Sequence, residues 1–488
     1  MIGGAQGVNM LIGMVRVKFA ALLIGPTGVG LVAAFQSIIQ LLGGVFGLGL
    51  KSSAVREVAS AAASNDDDKL ARSILTLRRM SLLLGLLGCL TIVLFSRQIS
   101  QLTFNSDQYR FDISLIGLAI LFTNLQGADA AIIQGMRLIG DLAKVQIFGG
   151  LIGSIISVSL YAFYGLGGIV YAVVSLTFTQ LLVTRWYASK VTIAPVLMTW
   201  RESFNAAGGM VRLGLAFMWG GLLTASVAYC ARILIVRQFD LVAVGIYSAA
   251  FALSGMLVNF VLSAMAGDYY PTLVAVSEKH EEMKALVNQQ TEVGLLLALP
   301  GILGTLAFSP WLIKLFYTAE FWEAELLLKW FIWGCALRII SWPMGIVMMA
   351  KGATKIYTFV QTISNLLHVF AIWVLLGFYG IEGVAIAFFI LYVFHLFLVY
   401  GIARHLIGFS WDVKTRWLMF FSLLSIIVIF ASDSLLSGFG RMIFGVSVTG
   451  IVGLLCLRGI VRRLGANHWI SVKLASIPLI RNLCLCQR

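Results

Sequence analysis

Apolar runs alternate with short polar breaks along almost the whole chain. One membrane crossing takes about 20 mostly apolar residues. On that measure the pattern predicts fourteen spans: 2–25, 29–50, 80–96, 113–133, 145–164, 167–185, 213–236, 244–266, 292–315, 326–350, 356–378, 381–403, 417–436 and 442–458. The longest breaks are 51–79, 185–212, 267–290 and the tail from 458. The expected fold class is therefore all-α and polytopic, with about 14 transmembrane helices.

Composition agrees. The 488 residues are 60% hydrophobic and 11% charged, where a soluble domain averages about 25% charged. The 49 glycines suit helices that approach closely in a bilayer. The net charge of +14 raises the question of nucleic acid, but its distribution excludes that partner. With the N-terminus inside, 25 Lys and Arg fall in cytoplasmic segments and six outside, and four lie within spans. That bias predicts cytoplasmic N- and C-termini. No cleavable signal peptide is expected ahead of the first span. The cysteines within spans read as packing residues, and Cys484-x-Cys486 lacks a His or second Cys pair. No metal, cofactor or P-loop is expected.

The chain repeats itself. Tyr164-Gly-Leu-Gly-Gly168 recurs as Tyr379-Gly-Ile-Glu-Gly383, an offset of 215. Val29-Gly-Leu31 recurs at the same offset as Val244-Gly-Ile246. Six spans per half keep both halves in one orientation, so the repeat is parallel. The expected organisation is a six-helix lobe at 1–211, a second at 212–410, and an appended helix pair with a basic tail at 411–488.

No break is long enough for a catalytic domain. Glu320, Glu323 and Glu325 are expected to form a solvated rim, and Asn65 or a neighbouring aspartate to cap the next helix. The informative polar residues lie inside spans. A charge near the bilayer centre costs about 2.5–3.5 kcal/mol on insertion scales, so it faces a cavity or a partner. Arg16, Lys18, Arg232 and Arg338 are such cations. Arg16 lies ~13 Å from the outer end of its span, and Lys18 is ~200° further round the helix. One of the two is therefore expected to face a central cavity. A guanidinium grips phosphate in a bidentate fork, which favours Arg16. Asp129 reads as the one deep acid, a counter-ion or coupling residue. His368 and His395 are candidates for coupling or for packed, hydrogen-bonded roles.

The run Arg16-Val-Lys18-Phe-Ala-Ala-Leu-Leu-Ile-Gly25-Pro26-Thr-Gly28-Val-Gly30-Leu31 resembles the first helix hairpin of the Wzx-type polysaccharide (O-antigen) flippases, as does Tyr164-Gly-Leu-Gly-Gly168. These belong to the multidrug/oligosaccharidyl-lipid/polysaccharide exporter superfamily. The resemblance covers residues 1–410. It implies a bacterial inner-membrane carrier, not an enzyme, acting as a monomeric transport unit. It implies alternating access for an undecaprenyl-pyrophosphate-linked oligosaccharide, with pyrophosphate held by Arg16, Arg232, Arg338 and Lys18. Membrane lipid, a polysaccharide polymerase and chain-length proteins are the implied partners. The acid that lipid II flippases carry in the first two helices is missing here. A multidrug antiporter and a membrane polymerase or ligase are the alternatives; an antiporter of cationic drugs would favour cavity acids over arginines.

Overall fold

A computed structural model of the chain describes residues 2–64, 66–192, 195–435 and 438–464. Among them are sixteen α-helices and no strand: α1 (Ile2–Gly47), α2 (Leu50–Ala63), α3 (Asp67–Leu94), α4 (Ser96–Phe104), α5 (Arg110–Gly135), α6 (Ile139–Tyr164), α7 (Ile169–Ala188), α8 (Trp200–Gln238), α9 (Leu241–Ala275), α10 (His280–Ala307), α11 (Ser309–Phe316), α12 (Ala324–Ala350), α13 (Thr354–Tyr379), α14 (Glu382–Ile407), α15 (Val413–Leu435) and α16 (Gly438–Leu464). Twelve helical stretches are long and apolar enough to cross a membrane. Two of the twelve are double. Gln6–Gly47 breaks at Gly25 (φ 61°, ψ −169°), and Ile139–Ala188 joins α6 to α7 through a 3-10 turn at Gly165–Gly168. Counting the halves separately recovers the fourteen spans of the sequence pattern.

Local chemistry explains the breaks. The backbone at Gly25 is open only to glycine, and Pro26 then starts the next helix with a preset φ. Asp66 caps α3 by accepting from the Lys69 N–H; Asn65 lies outside the described residues. Thr199 and Glu202 form a reciprocal capping box that starts α8 well before its apolar part. The Thr199 backbone N–H, then the Thr199 side chain, hold the Glu202 carboxyl below its ordinary pKa.

The repeat is visible atom by atom. Gly165 and Gly380 both have positive φ, at 53° and 59°. A Cβ on Gly168 would overlap the Leu160 carbonyl oxygen, and one on Gly383 would overlap that of Leu375. All three correspondences keep the offset of 215. Each pair closes the same tight glycine turn between two antiparallel neighbours, α6 with α7 and α13 with α14.

Contacts gather the chain into two units. The first holds residues up to Ser248 with Leu315–Glu320; the second holds Ala249–Lys314 and the described residues from Phe321 onward. The packing boundary differs from the lobe boundary expected at 211/212, because α8 and the first turns of α9 belong to the first unit. In the first unit, α3 packs on α5, α6 on α7 and α1 on α6, around a core that includes Phe35, Ile38, Ile92, Ile116 and Ile169. In the second, α12 packs on α14 and α10 on α16, and Tyr269, Met344, Val360 and Phe409 are in the core. Lipid is as apolar as these side chains, so close packing and polar ties hold such helices together, not release of water.

Candidate functional site

The span cations fall in two places. Arg16 on α1 is half-buried, with the Tyr161 hydroxyl of α6 in electrostatic range. Lys18 donates to the Tyr317 carbonyl, inside the same unit. Arg232 on α8 is half-buried; its Nη1 donates to the Ala228 carbonyl at 2.8 Å. Its guanidinium carbon stands 5.7 Å from the centroid of the Tyr247 ring, at cation–π distance, and its Nε is buried without a hydrogen-bond partner. These residues all belong to the first unit.

Arg338 on α12 belongs to the second, where it lies in electrostatic range of Tyr392 on α14. His395 sits beside that tyrosine, ring centroids 6.0 Å apart, and its Nδ1 is 3.1 Å from Ser364 Oγ. His368 packs against Phe388, and its Nε2 is buried without a partner. The structure therefore joins Arg338, Tyr392 and His395, three residues from two helices. The tyrosines at 161, 247 and 392 were not singled out from the sequence. Their signal was present: a phenol within an apolar span carries a hydroxyl that needs company.

The acids behave differently. Asp129 is 0% exposed, and Arg78 Nε and Arg185 Nη1 each reach one of its oxygens at 3.3 Å. Asp129 is not the one deep acid. Glu292 on α10 is 3% exposed, with Thr415 Oγ1 donating to it at 2.7 Å and Arg463 Nη2 closing on its other oxygen. The expected span began at Glu292 and so placed it at a boundary; α10 begins earlier, at His280, which carries it inside. Glu325 likewise departs from the solvated rim expected of it. It is half-buried, 2.8 Å from Lys329 Nζ and 2.9 Å from Arg441 Nη2.

Among the described residues, each of these buried or half-buried acids is matched to cations, whereas Arg16, Arg232 and Arg338 have no carboxylate at ion-pair distance. Isolated cations in a low-dielectric setting attract an anion strongly, and an arginine presents five donors for it. A separate groove of about 440 Å³ in the first unit is lined mainly by apolar side chains, including Leu48, Met80, Phe204 and Leu215, with Arg212 among them. None of Arg16, Lys18 and Arg232 lines it. Among the described residues no three His, Cys, Asp or Glu side chains are placed to hold a metal ion. Cys484 and Cys486 lie outside them.

Comparison with known proteins gives a consistent picture. The chain is 26% identical over 406 residues to the lipid III flippase of Escherichia coli (strain K12), covering 81% of this chain and 94% of that protein. The lipid III flippase of Shigella flexneri matches equally. Among solved structures, the lipid II flippase MurJ in an inward closed conformation superposes with a TM-score of 0.73 at 16% identity, over 94% of this chain and 98% of that one. An inward-facing multidrug resistance MATE transporter of the MOP superfamily gives 0.65 at 12% identity, over 82% and 95%. At such identities the likeness speaks for the fold alone. Residues 20–325, more than half of the chain, match the polysaccharide biosynthesis protein family, and the chain belongs to that family, with the fold of the MOP-superfamily transporters.

Proposed function

We propose that this multi-pass membrane protein is a flippase that moves an undecaprenyl-pyrophosphate-linked oligosaccharide, an O-antigen or similar surface unit, from the cytoplasmic to the periplasmic leaflet of a bacterial inner membrane. Both termini are cytoplasmic in this reading. The lipid III flippase relatives supply the transporter class and the lipid-linked cargo. The observation that carries the reading is the set of span arginines without carboxylate partners, Arg16, Arg232 and Arg338, while Asp129 and Glu292, the deep acids among the described residues, are both paired.

The physics is direct. Pyrophosphate is a compact anion, and guanidinium groups hold it by charge-assisted, bidentate hydrogen bonds. Lys18 adds a further positive charge. Neutralising the arginines removes the main cost of closing apolar walls around them. The sugar then crosses in the hydrated interior while the polyprenyl chain stays in lipid. Each negative charge moved outward gains ~2.3 kcal/mol per 100 mV when the inside is negative. His395 and His368 suit a coupling role better than Asp129, whose two oxygens are already engaged. A polysaccharide polymerase and chain-length proteins are the partners this cargo calls for.

The test is a strain lacking the chain. Lipid-linked oligosaccharide should accumulate on the cytoplasmic face, and the wild-type chain should relieve it while Arg16→Ala and Arg232→Ala do not. Export at the normal rate by both alanine variants would end the proposal. Longer glycans made by the purified protein would favour a polymerase instead. Transport of cationic drugs would favour a multidrug antiporter, whose fold this chain shares.

A further inference from the structure

Two glycine contacts bracket the second half of α1, and they differ in symmetry. At one end, a Cβ on Gly30 would overlap the Leu241 carbonyl oxygen and stand 2.9 Å from Gly245 N. Reciprocally, a Cβ on Gly245 would overlap the Pro26 carbonyl oxygen and stand 3.2 Å from Gly30 N. Pro26 and Leu241 are repeat mates at the offset of 215, and so are Gly30 and Gly245. The hydrogen at each glycine's Cβ site thus points at the other's preceding-turn carbonyl, the arrangement of paired Cα–H···O contacts. Two equivalent segments meet face to face about a local two-fold axis.

At the other end, a Cβ on Gly49 (φ 64°) would overlap the Gly214 carbonyl oxygen. One on Gly214 would overlap the Leu48 carbonyl oxygen and stand 3.0 Å from the Gly49 carbonyl carbon. This contact is reciprocal too, but it has no counterpart at the offset of 215. The helix between the two, from Pro26 to Gly47, is ~33 Å long at 1.5 Å per residue. That matches the ~30 Å hydrocarbon core of a bilayer. The contacts therefore stand about one hydrocarbon core apart along the helix, and all their residues lie in the first unit.

We propose that Gly30 with Gly245, and Gly49 with Gly214, are the two seals of the transport path, one per membrane face. Each works because bare backbone touches bare backbone, and translocation requires the two to part alternately. Packed interfaces switch between discrete arrangements and do not stretch. A single added methyl should therefore prise one seal open and leave the other shut.

The experiment uses the full chain in nanodiscs, with its six cysteines replaced and a single reporter cysteine introduced. Val236→Cys reports the first end, since Val236 packs with Val29 and Leu241 against the same core. Val211→Cys reports the other, packed against the core of Leu50. Gly30→Ala and Gly245→Ala should each raise maleimide labelling at position 236 several-fold, by similar amounts, with little change at 211. Gly49→Ala and Gly214→Ala should do the reverse. Unchanged labelling, or equal increases at both reporters, overturns the proposal. Should an alanine variant fail to fold, a second arm uses Val29→Cys with Val244→Cys, each next to its glycine, joined by a short bifunctional maleimide. Cross-linking should stop export while a monofunctional reagent does not; export at the unmodified rate overturns the proposal. The labelling arm is independent of the cargo. Its failure sinks the seals and leaves the flippase reading standing, whereas the cross-linking arm rests on that reading.

Discussion

The surroundings of Asp129 and those of Arg232 are both charged and both enclosed by apolar helices, yet they are built to opposite ends. At Asp129 one carboxylate takes two guanidinium groups, from α3 and α7. The site is satisfied, and both arginines stay partly exposed, at 27% and 54%. At Arg232 one guanidinium has a backbone carbonyl, the face of Tyr247 and a buried Nε without a partner. A closed network lowers the energy of one conformation and holds helices in place. An open one keeps capacity for a ligand at the expense of stability. The comparison teaches that charge inside a span is either closed into an ion pair or left open, and that the partners, not the residue type, distinguish the two.

The largest expected effect tests the open site. Arg232→Ala should cut export of lipid-linked sugar by at least tenfold, about 1.4 kcal/mol or more. It should leave the thermal midpoint unchanged or higher, because an uncompensated charge is removed. A large fall in stability would move Arg232 into the same class as Asp129. Asp129→Ala should show the opposite profile. Removing one member of a buried ion pair costs about 3–5 kcal/mol, and partial exposure of both arginines reduces this to about 1–3 kcal/mol. The midpoint in detergent should fall clearly, and Asp129→Asn should recover part of it. Full stability with lost export would show that Asp129 serves the cargo instead.

Glu292→Gln sharpens the same contrast in the second unit. It keeps the acceptor for Thr415 and removes the charge facing Arg463, so a smaller loss, about 1–2 kcal/mol, is expected. Protease sensitivity of α15 and α16 should rise with it. The smallest effect concerns a charge outside the spans. Glu202 titrates below its ordinary range in the folded chain, chiefly through the Thr199 N–H. Its contribution is therefore complete above the unfolded carboxyl value, about pH 4.3. It is lost as pH falls through the lower folded value. Melting curves taken down through that window should fall less for Glu202→Gln than for the wild type.

Much of the fold was legible because a bilayer imposes a simple rule on sequence. Runs of about 20 apolar residues must be helices, since only a helix satisfies its own backbone in lipid. The offset of 215 was legible because tight glycine turns tolerate few other residues, so Tyr164–Gly168 and Tyr379–Gly383 kept their spelling. The candidate site was legible only in its residue types. Arg16, Arg232 and Arg338 stand out in any apolar run, but Asp129 looks equally prominent and is spoken for. Its partners are 51 and 56 residues away, and Glu292 meets Thr415 at a separation of 123.

The sequence by itself determined that this chain is helical, spans a membrane many times and is built twice over, because hydropathy and glycine turns act over a few neighbouring residues. Tertiary structure alone decided which charges are paired and where backbone meets backbone. Gly30 and Gly245 are ordinary members of two similar strings until folding sets each against the other's preceding turn. A pairing is a property of two distant segments, set by how whole helices pack, and no local pattern carries it.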